Sequence, residues 1–429
     1  MSSKPFKILI SGSGIAGSVF ASWLLKAHPN ADITIVERDP CLRLTGASVD
    51  IRSSAVDIIK WMGAEAEIRK HTTNEAGGQL VRADGTAIAT LNATGREDLQ
   101  SIVSEFEIFR GALAKIFIDP VLKHDAGVKL IFDEYVDGLE QREDGRGVVI
   151  TFARSKEQKT YDLVVAADGL GSRIRGMMLD ASPREQIHDE GVHAAYFTVK
   201  GDLLQGSKYS RWYNTTRGRV VSLRPDPDPA GLTRAMLINV KPQGHNPAKD
   251  RFDAALRQGN DRYMDLMDEE FRDVGWLAND VLAGMRESPD FYCSVFAQVR
   301  SPKLHAGRVV LLGDAGYATP GFGTSLAIIG AYVLAGELLN ATGDGNVTAA
   351  LERYEALMVP FVKYSQGGIS SAMQLLNPQT RWGIWVKNTI IGSLLWLKID
   401  QMAMVAAAWL GFTEKKLDMP GYPWPCVAK

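Results

Sequence analysis

Three cysteines among 429 residues cannot build a disulfide framework, and Cys41, Cys293 and Cys426 are too scattered for a metal site of close ligand spacing. The seven histidines are also dispersed, so spacing assembles neither a metal cluster nor a hydrolytic triad from them. No excess of charge exists: 48 Lys and Arg stand against 50 Asp and Glu, a formal net charge of −2. That removes the electrostatic case for nucleic acid, or an anionic membrane, as the main partner. Repeats and low-complexity tracts are missing. No secretory leader is expected, because Met1-Ser-Ser-Lys-Pro-Phe-Lys runs straight into an apolar strand. A cytoplasmic, reducing location is the default expectation. Residues 384–412 are rich in apolar side chains, but Lys387, Lys398 and Asp400 leave charge-free runs of only 10 and 13 residues after them. A spanning helix wants ~18–20. Helices packed on the body are expected there, with peripheral membrane contact as the lesser alternative.

What is present is ordinary for a globular chain: 45% hydrophobic and 23% charged residues, and length for two or three domains. Residues 7–11 read as a buried strand, 15–27 as a helix and 33–37 as a second strand. Helix is expected at 53–62 and 109–122, and two short strands around Ala83-Asp84-Gly85 at 79–91. Further strands fall at 128–132, 148–152 and 161–167. After about residue 184 the strands 192–199, 209–213, 219–223 and 235–240 follow without helices between them, the mark of an antiparallel sheet. Helices at 251–271 and 276–285 and a strand at 292–299 close that stretch. Strand 308–312 resumes the α/β character, with helices at 325–339 and 349–364. The fold class is therefore α/β plus β: a Rossmann-like domain (1–75, 106–184 and 301–345) interleaved with an antiparallel β-rich domain (76–105 and 185–300), then a helical region (346–429).

Three strand ends carry the chemistry. Gly12-Ser13-Gly14-Ile15-Ala16-Gly17 follows a strand and opens a helix. Its glycines permit a tight turn, close approach to a pyrophosphate and helix–strand packing, and the helix N-terminus offers N–H groups to phosphate. Glu37 ends the next strand 20 residues after Gly17, placed to accept from a ribose 2′-hydroxyl. Next comes Asp168-Gly169-Leu170-Gly171-Ser172-Arg173-Ile174-Arg175, again an acid and glycines at the end of an apolar strand. Gly313-Asp314-Ala315-Gly316-Tyr317-Ala318-Thr319-Pro320-Gly321-Phe322-Gly323-Thr324-Ser325 repeats the pattern and opens another helix. Its Asp suits a sugar-like ribityl hydroxyl, and its loop N–H groups suit the anionic edge of a reduced flavin.

These three motifs resemble those of class A flavin monooxygenases, the group of p-hydroxybenzoate hydroxylase and the tetracycline-inactivating hydroxylases. Gly12, Gly14, Ala16 and Gly17 match the family's dinucleotide glycines, Asp168-Gly169 its DG motif, and Gly313-Asp314 its GD motif. The resemblance covers about residues 4–339. It implies FAD as cofactor, with Glu37 and Arg38 at the adenosine end, Arg110 reaching FAD, and the stretch from Gly46 through Asp50 to Arg52 passing the flavin. It places Asp314, Pro320, Gly323 and Ser325 around the ribityl chain and ring. Two departures stand out: the GD continues Ala315-Gly316-Tyr317 where the family has Ala-His, and Ser325 stands where it has Asn. A second dinucleotide fingerprint is missing, which removes disulfide reductases and two-dinucleotide monooxygenases.

The implied reaction uses NADPH or NADH and O₂ to hydroxylate or epoxidise an electron-rich small molecule of secondary metabolism through a flavin C4a-hydroperoxide. Such a site must exclude water and favour a phenolate or enolate. Candidates on the β-rich strands are His193 and Tyr196, and Arg211 with Tyr213, which share one face by i, i+2 spacing. Arg211 and Tyr213 are the expected catalytic pair, orienting a substrate oxygen, against the plain alternative of structural strand residues. Phe291 to Phe296 and Trp382, Trp385 and Trp396 are candidates for an apolar pocket or simply for core. An apolar phenolic, enolic or indolic substrate fits this composition. Rival readings are a reductase or halogenase of related fold, though no Trp-X-Trp-X-Ile-Pro stretch exists, or a catalytically idle FAD-binding scaffold. Oligomeric state is left open.

Overall fold

The computed structural model describes residues 5–43, 48–73, 75–92, 106–124, 127–227, 231–242, 247–341, 347–367, 369–397 and 416–425. Gly46, Ala47, Cys426 and most of the last apolar run, 398–415, lie outside them. The apolar run Lys7–Ser11 forms β1, buried on both faces as a central parallel strand must be. It is followed by α1 (Ile15–Ala27), β2 (Asp32–Val36), β3 (Ser48–Asp50), α2 (Ser54–Trp61) and α3 (Glu65–Lys70). The hairpin β4 (Gly77–Val81) and β5 (Ala87–Asn92) precedes β6 (Glu107–Phe109), α4 (Arg110–Leu122) and β7 (Val128–Ile131). Then come β8 (Val136–Gln141), β9 (Val148–Phe152), β10 (Gln158–Tyr161), β11 (Leu163–Ala166) and α5 (Arg173–Leu179). The long strands β12 (Ile187–Val199), β13 (Tyr209–Thr215), β14 (Arg219–Pro225) and β15 (Thr233–Val240) lead to α6 (Pro247–Gln258), α7 (Asn260–Phe271) and α8 (Ala278–Glu287). The chain closes with β16 (Tyr292–Val299), β17 (His305–Ala306), β18 (Val309–Leu311), α9 (Asp314–Tyr317), α10 (Gly323–Asn340), α11 (Val347–Ser365), α12 (Ile369–Leu376) and α13 (Arg381–Trp396).

Two large sheets organise these elements. One has the order β17-β18-β11-β1-β2-β7, parallel except for β17. The chain leaves β1 toward β2 on one side and returns as β11 on the other, so the carboxyl end of β1 is a topological switch point, where open α/β sheets bind ligands. The other sheet has the order β16-β12-β15-β14-β13-β4-β5. Its alternating residues separate cleanly. Ala195, Phe197, Val221, Leu223 and Leu237 pack under α6, α7 and α8, while Val192, Ala194, Val220 and Ile238 face the other way.

Several expectations are corrected. The second sheet is mixed, because β13 pairs with β4 in parallel, Tyr209 opposite Gly77. β4 arrives by a crossover from the first layer, not through a hairpin, so nothing forces it antiparallel. The single helix expected at 251–271 is two, broken at Gly259, whose φ of 104° no helix accommodates. β8 and β10 flank β9 in a small antiparallel sheet; both are polar strands with exposed residues, which left little apolar alternation to read. The last region also divides. α11 buries Tyr354, Met358 and Phe361 in the core of the first layer, and the chain end returns there too. Trp424 lies 4.5 Å from Trp23 ring to ring, and Tyr422 Oη donates to Glu337 Oε1 at 2.9 Å. Only α12 and α13 rest on the second sheet. α10, whose length and composition would suit a membrane, is 78% buried over its apolar window and is a core helix.

Candidate active site

A cavity of about 690 Å³ opens at the switch point and runs to the second sheet. At its start, Gly12 adopts φ 107°, and a Cβ there would stand 2.4 Å from the Ala167 carbonyl oxygen. A Cβ on Gly17 would lie 2.1 Å from the Gly12 oxygen, so glycine is obligatory at both positions. Gly14 differs: a Cβ there meets nothing within 4 Å, and the same holds at Gly169, Gly171 and Gly321, all on the cavity wall. Bare backbone thus faces open space from three separate loops. The N-cap residues of α1 and α10, Gly14 and Phe322, make no side-chain cap bond, leaving helix N–H groups for a bound acceptor.

Acidic residues line the cavity. Glu37 lines the cavity and accepts through Oε2 from Ser13 N at 3.0 Å and Ser13 Oγ at 2.9 Å, and through Oε1 from Asp39 N at 3.1 Å. It therefore ties the glycine loop to the end of β2. Arg38 is exposed beside it at the rim. Asp168 accepts the Arg173 amide at 3.1 Å through Oδ2, while its Oδ1 is buried with no donor among the described residues. Asp50 repeats this: Arg52 holds Oδ2 at 2.9 Å, and Oδ1 is buried without a donor. Burial raises the pKa of both carboxyls, and Glu107 adds to the effect at Asp50. Two buried acceptors with unused lone pairs, both on residues of the cavity wall, suit ligand hydroxyls.

The three motifs also touch each other. Asp314 opens α9 after Gly313, and a Cβ on Gly313 would meet the Ala16 Cβ at 2.8 Å. Asp314, Pro320 and Gly323 line the cavity, as does Arg110 at the first turn of α4. Ser325 does not. It is fully buried, and its Oγ accepts the Arg52 amide at 2.9 Å, fastening the loop after β3 to α10. The other departure, Gly316, also sits in the core, where a Cβ would meet the Leu311 Cβ at 3.0 Å, and the neighbouring Tyr317 phenol meets Tyr354 Oη at 3.0 Å. Neither Gly316 nor Ser325 lines the cavity. Arg175 is structural as well: its buried guanidinium donates to the carbonyls of Ala315, Leu170 and Pro183, pinning the second motif to the third.

At the sheet end, Tyr196 lines the cavity and stacks on Tyr292, ring centroids 6.1 Å apart. Burial holds its phenol well above the ordinary tyrosine range, so it stays a neutral donor. The other three sheet candidates do not line the cavity. His193 lies an odd number of residues from Tyr196, hence on the opposite face, where it is fully buried and stacked on Phe252 at 4.8 Å. Tyr213 shares that far face; it donates to the Val274 carbonyl at 3.2 Å and packs edge-on to Trp276. Arg211, two residues away, is on the same side, and neither residue lines the cavity. Sequence reasoning missed Tyr292 and Phe296 as individual wall residues and Arg43 beside them. Cross-strand register places Tyr292 opposite Tyr196, a pairing that strand spacing alone does not give. Trp382 and Trp385, candidates for a pocket, are instead 73% and 63% exposed.

A glycine-walled cavity at a switch point, with uncapped helix ends and buried acceptors, defines a dinucleotide-binding protein with a second, aromatic compartment. The chain belongs to the FAD binding domain family, whose profile matches residues 6–277. It is 31% identical over 433 residues to "Monooxygenase CTB7" of Cercospora beticola, covering 98% of this chain and 99% of that one. Against "FAD-dependent monooxygenase asL4" of Sarocladium schorii it is 30% identical, covering 97% and 98%. The crystal structure of tetracycline destructase Tet(51) superposes with a TM-score of 0.74 at 27% identity, covering 98% and 100%. The protein is a flavin-dependent monooxygenase and FAD is its cofactor.

Proposed function

We propose that the protein transfers one oxygen atom from O₂ to an apolar, electron-rich small molecule, phenolic, enolic or indolic, with NADPH or NADH as reductant. The observation that carries this reading is the Tyr196–Tyr292 pair, which brings an aromatic surface into the same cavity as the loops Gly12–Gly17, Asp168–Gly171 and Asp314–Gly323. The chemistry that FAD supplies when bound is acceptance of hydride and activation of O₂.

The chain's own residues do the rest. The N–H groups of α1 cradle the pyrophosphate, and Glu37 receives the ribose hydroxyls with Arg38 beside the adenosine. Asp50, Asp168 and Asp314 offer acceptors to the remaining hydroxyls and the ring edge. Arg110 supplies a cation at the cofactor's flank, and Pro320 a dry wall. Ser325 serves indirectly, by holding the Arg52 loop. Tyr196 and Tyr292 stack the substrate ring, and the Tyr196 phenol donates to a substrate oxygen, favouring its phenolate or enolate form. The discontinuous FAD-binding unit (1–75, 106–184 and 301–345) carries the first set of contacts, and the β-rich unit (76–105 and 185–300) the second. The similarity to a tetracycline destructase makes a polycyclic phenol the first substrate class to try.

Tyr196→Phe tests this division. It should leave FAD content unchanged, since the phenol stands on the second sheet and not on the glycine loops. Product formed per NADPH consumed should fall roughly tenfold, the effect of losing one hydrogen bond worth about 1 kcal/mol. Unchanged coupling in the variant would remove Tyr196 from the reaction.

A further inference from the structure

α13 carries its apolar side chains on the outside. Trp382, Trp385, Ile390, Leu394 and Leu397 are 73%, 63%, 53%, 43% and 53% exposed. At ~100° per residue their directions form a broad apolar stripe over about half of the helix circumference. The helix rests on β5, where a Cβ on Gly392 would lie 3.5 Å from the Ile88 carbonyl oxygen. Leu375 and Leu376 at the end of α12 and Tyr364 at the end of α11 are exposed as well. Of the ten large hydrophobic residues exposed among the described residues, eight fall between 364 and 397. Exposed apolar side chains scattered singly need no explanation; this concentration marks an interaction surface.

Charge selects the partner. No acidic residue occurs between Glu355 and Asp400, whereas Lys363, Arg381, Lys387 and Lys398 do. A chain of net charge −2 therefore holds one acid-free, cationic, apolar segment. Lys363 and Arg381 are both exposed. Residues 401–412, which follow, contain no charged residue. A two-fold pairing of this face with a second copy would bring like charges together with no acid of the segment to meet them. An anionic lipid surface meets both the cations and the apolar stripe, and tryptophan is the side chain that settles at that boundary.

We propose that the outward face of α13, with the adjoining ends of α11 and α12, docks the protein reversibly on an anionic lipid bilayer. The inference is independent of the substrate reading. The FAD-loaded full chain is floated with vesicles of phosphatidylcholine, with and without phosphatidylglycerol. Co-flotation with the anionic vesicles is expected, weakening as salt is raised. Trp382→Ser with Trp385→Ser should reduce it about tenfold or more, with FAD content and melting temperature unchanged because both side chains are exposed. Arg381→Glu should lower binding to the anionic vesicles only. Three outcomes would overturn the proposal: no flotation of the native chain, equal flotation of the Trp variant, or a doubled mass in light scattering that the Trp substitutions abolish.

Discussion

At Gly17 the missing side chain sets the distance between a helix and the loop that feeds it. A methyl group there would sit 2.1 Å from the Gly12 carbonyl oxygen, and backbone cannot yield as a side chain tip can. Gly17→Ala should therefore push the N-terminus of α1 away from the cavity and weaken FAD retention about tenfold or more, read as flavin absorbance per protein after gel filtration. Gly14→Ala is the contrasting case: its methyl would project into open cavity and compete with ligand without disturbing the apo fold. Such residues were legible in the sequence because their chemistry is local: a turn, a helix start and an acid at fixed spacing. Tyr213 was misread because the period-2 rule says which residues share a face, and not which face meets the ligand.

Between elements, the most consequential contact is ionic. Arg224 on β14 reaches across to the first layer and holds Glu75 at 2.7 Å, Glu107 on β6, and Ser48 Oγ at 2.6 Å. Both carboxylates are buried, and Ser48 lines the cavity. Removing the cation strands two acids, so Arg224→Met should cost about 3–5 kcal/mol in a denaturant titration. The sign with pH follows from Glu75, whose folded pKa is already raised from 4.5, chiefly by burial. A carboxyl raised on folding binds a proton that the unfolded chain gives up, so stability rises as pH falls through that window toward 4.5. The variant's deficit should shrink on acidification, with Arg224→Met/Glu75→Gln/Glu107→Gln recovering most of it at neutral pH. No sequence pattern announces this cluster: its members lie 149 and 117 residues apart. The parallel β13–β4 pairing was hidden for the same reason, whereas strands such as β9 and β16 fell where apolar alternation put them.

Over the whole molecule, one core joins α1, α10, α11 and the returning chain end, and its polar members are phenols. Tyr354 donates to the Leu311 carbonyl at 3.0 Å and meets Tyr317. Burial pushes Tyr317 up to about 12 and Tyr354 well above its ordinary 10.0. A phenol raised on folding contributes stability in full below the unfolded value of 10.0, and loses it as pH rises through the folded one. Alkaline titration should therefore show late tyrosinate absorbance that appears together with loss of helical signal, and not before it. The interleaved order of α/β and β segments was visible from one end of the chain to the other. Which parts of the last region joined the core was not, because Trp424 and Tyr422 act through residues some 400 and 85 positions away.

The central claim is that the glycine-walled cavity and the tyrosine-lined sheet together perform a monooxygenation. The direct measurement supplies the FAD-loaded protein with NADPH, a polycyclic phenol and ¹⁸O₂, then weighs the product. The account predicts one ¹⁸O atom in the product and none when the label is carried by water. NADPH consumption that yields only hydrogen peroxide across such phenols, enols and indoles, or a product whose new oxygen comes from water, would contradict it.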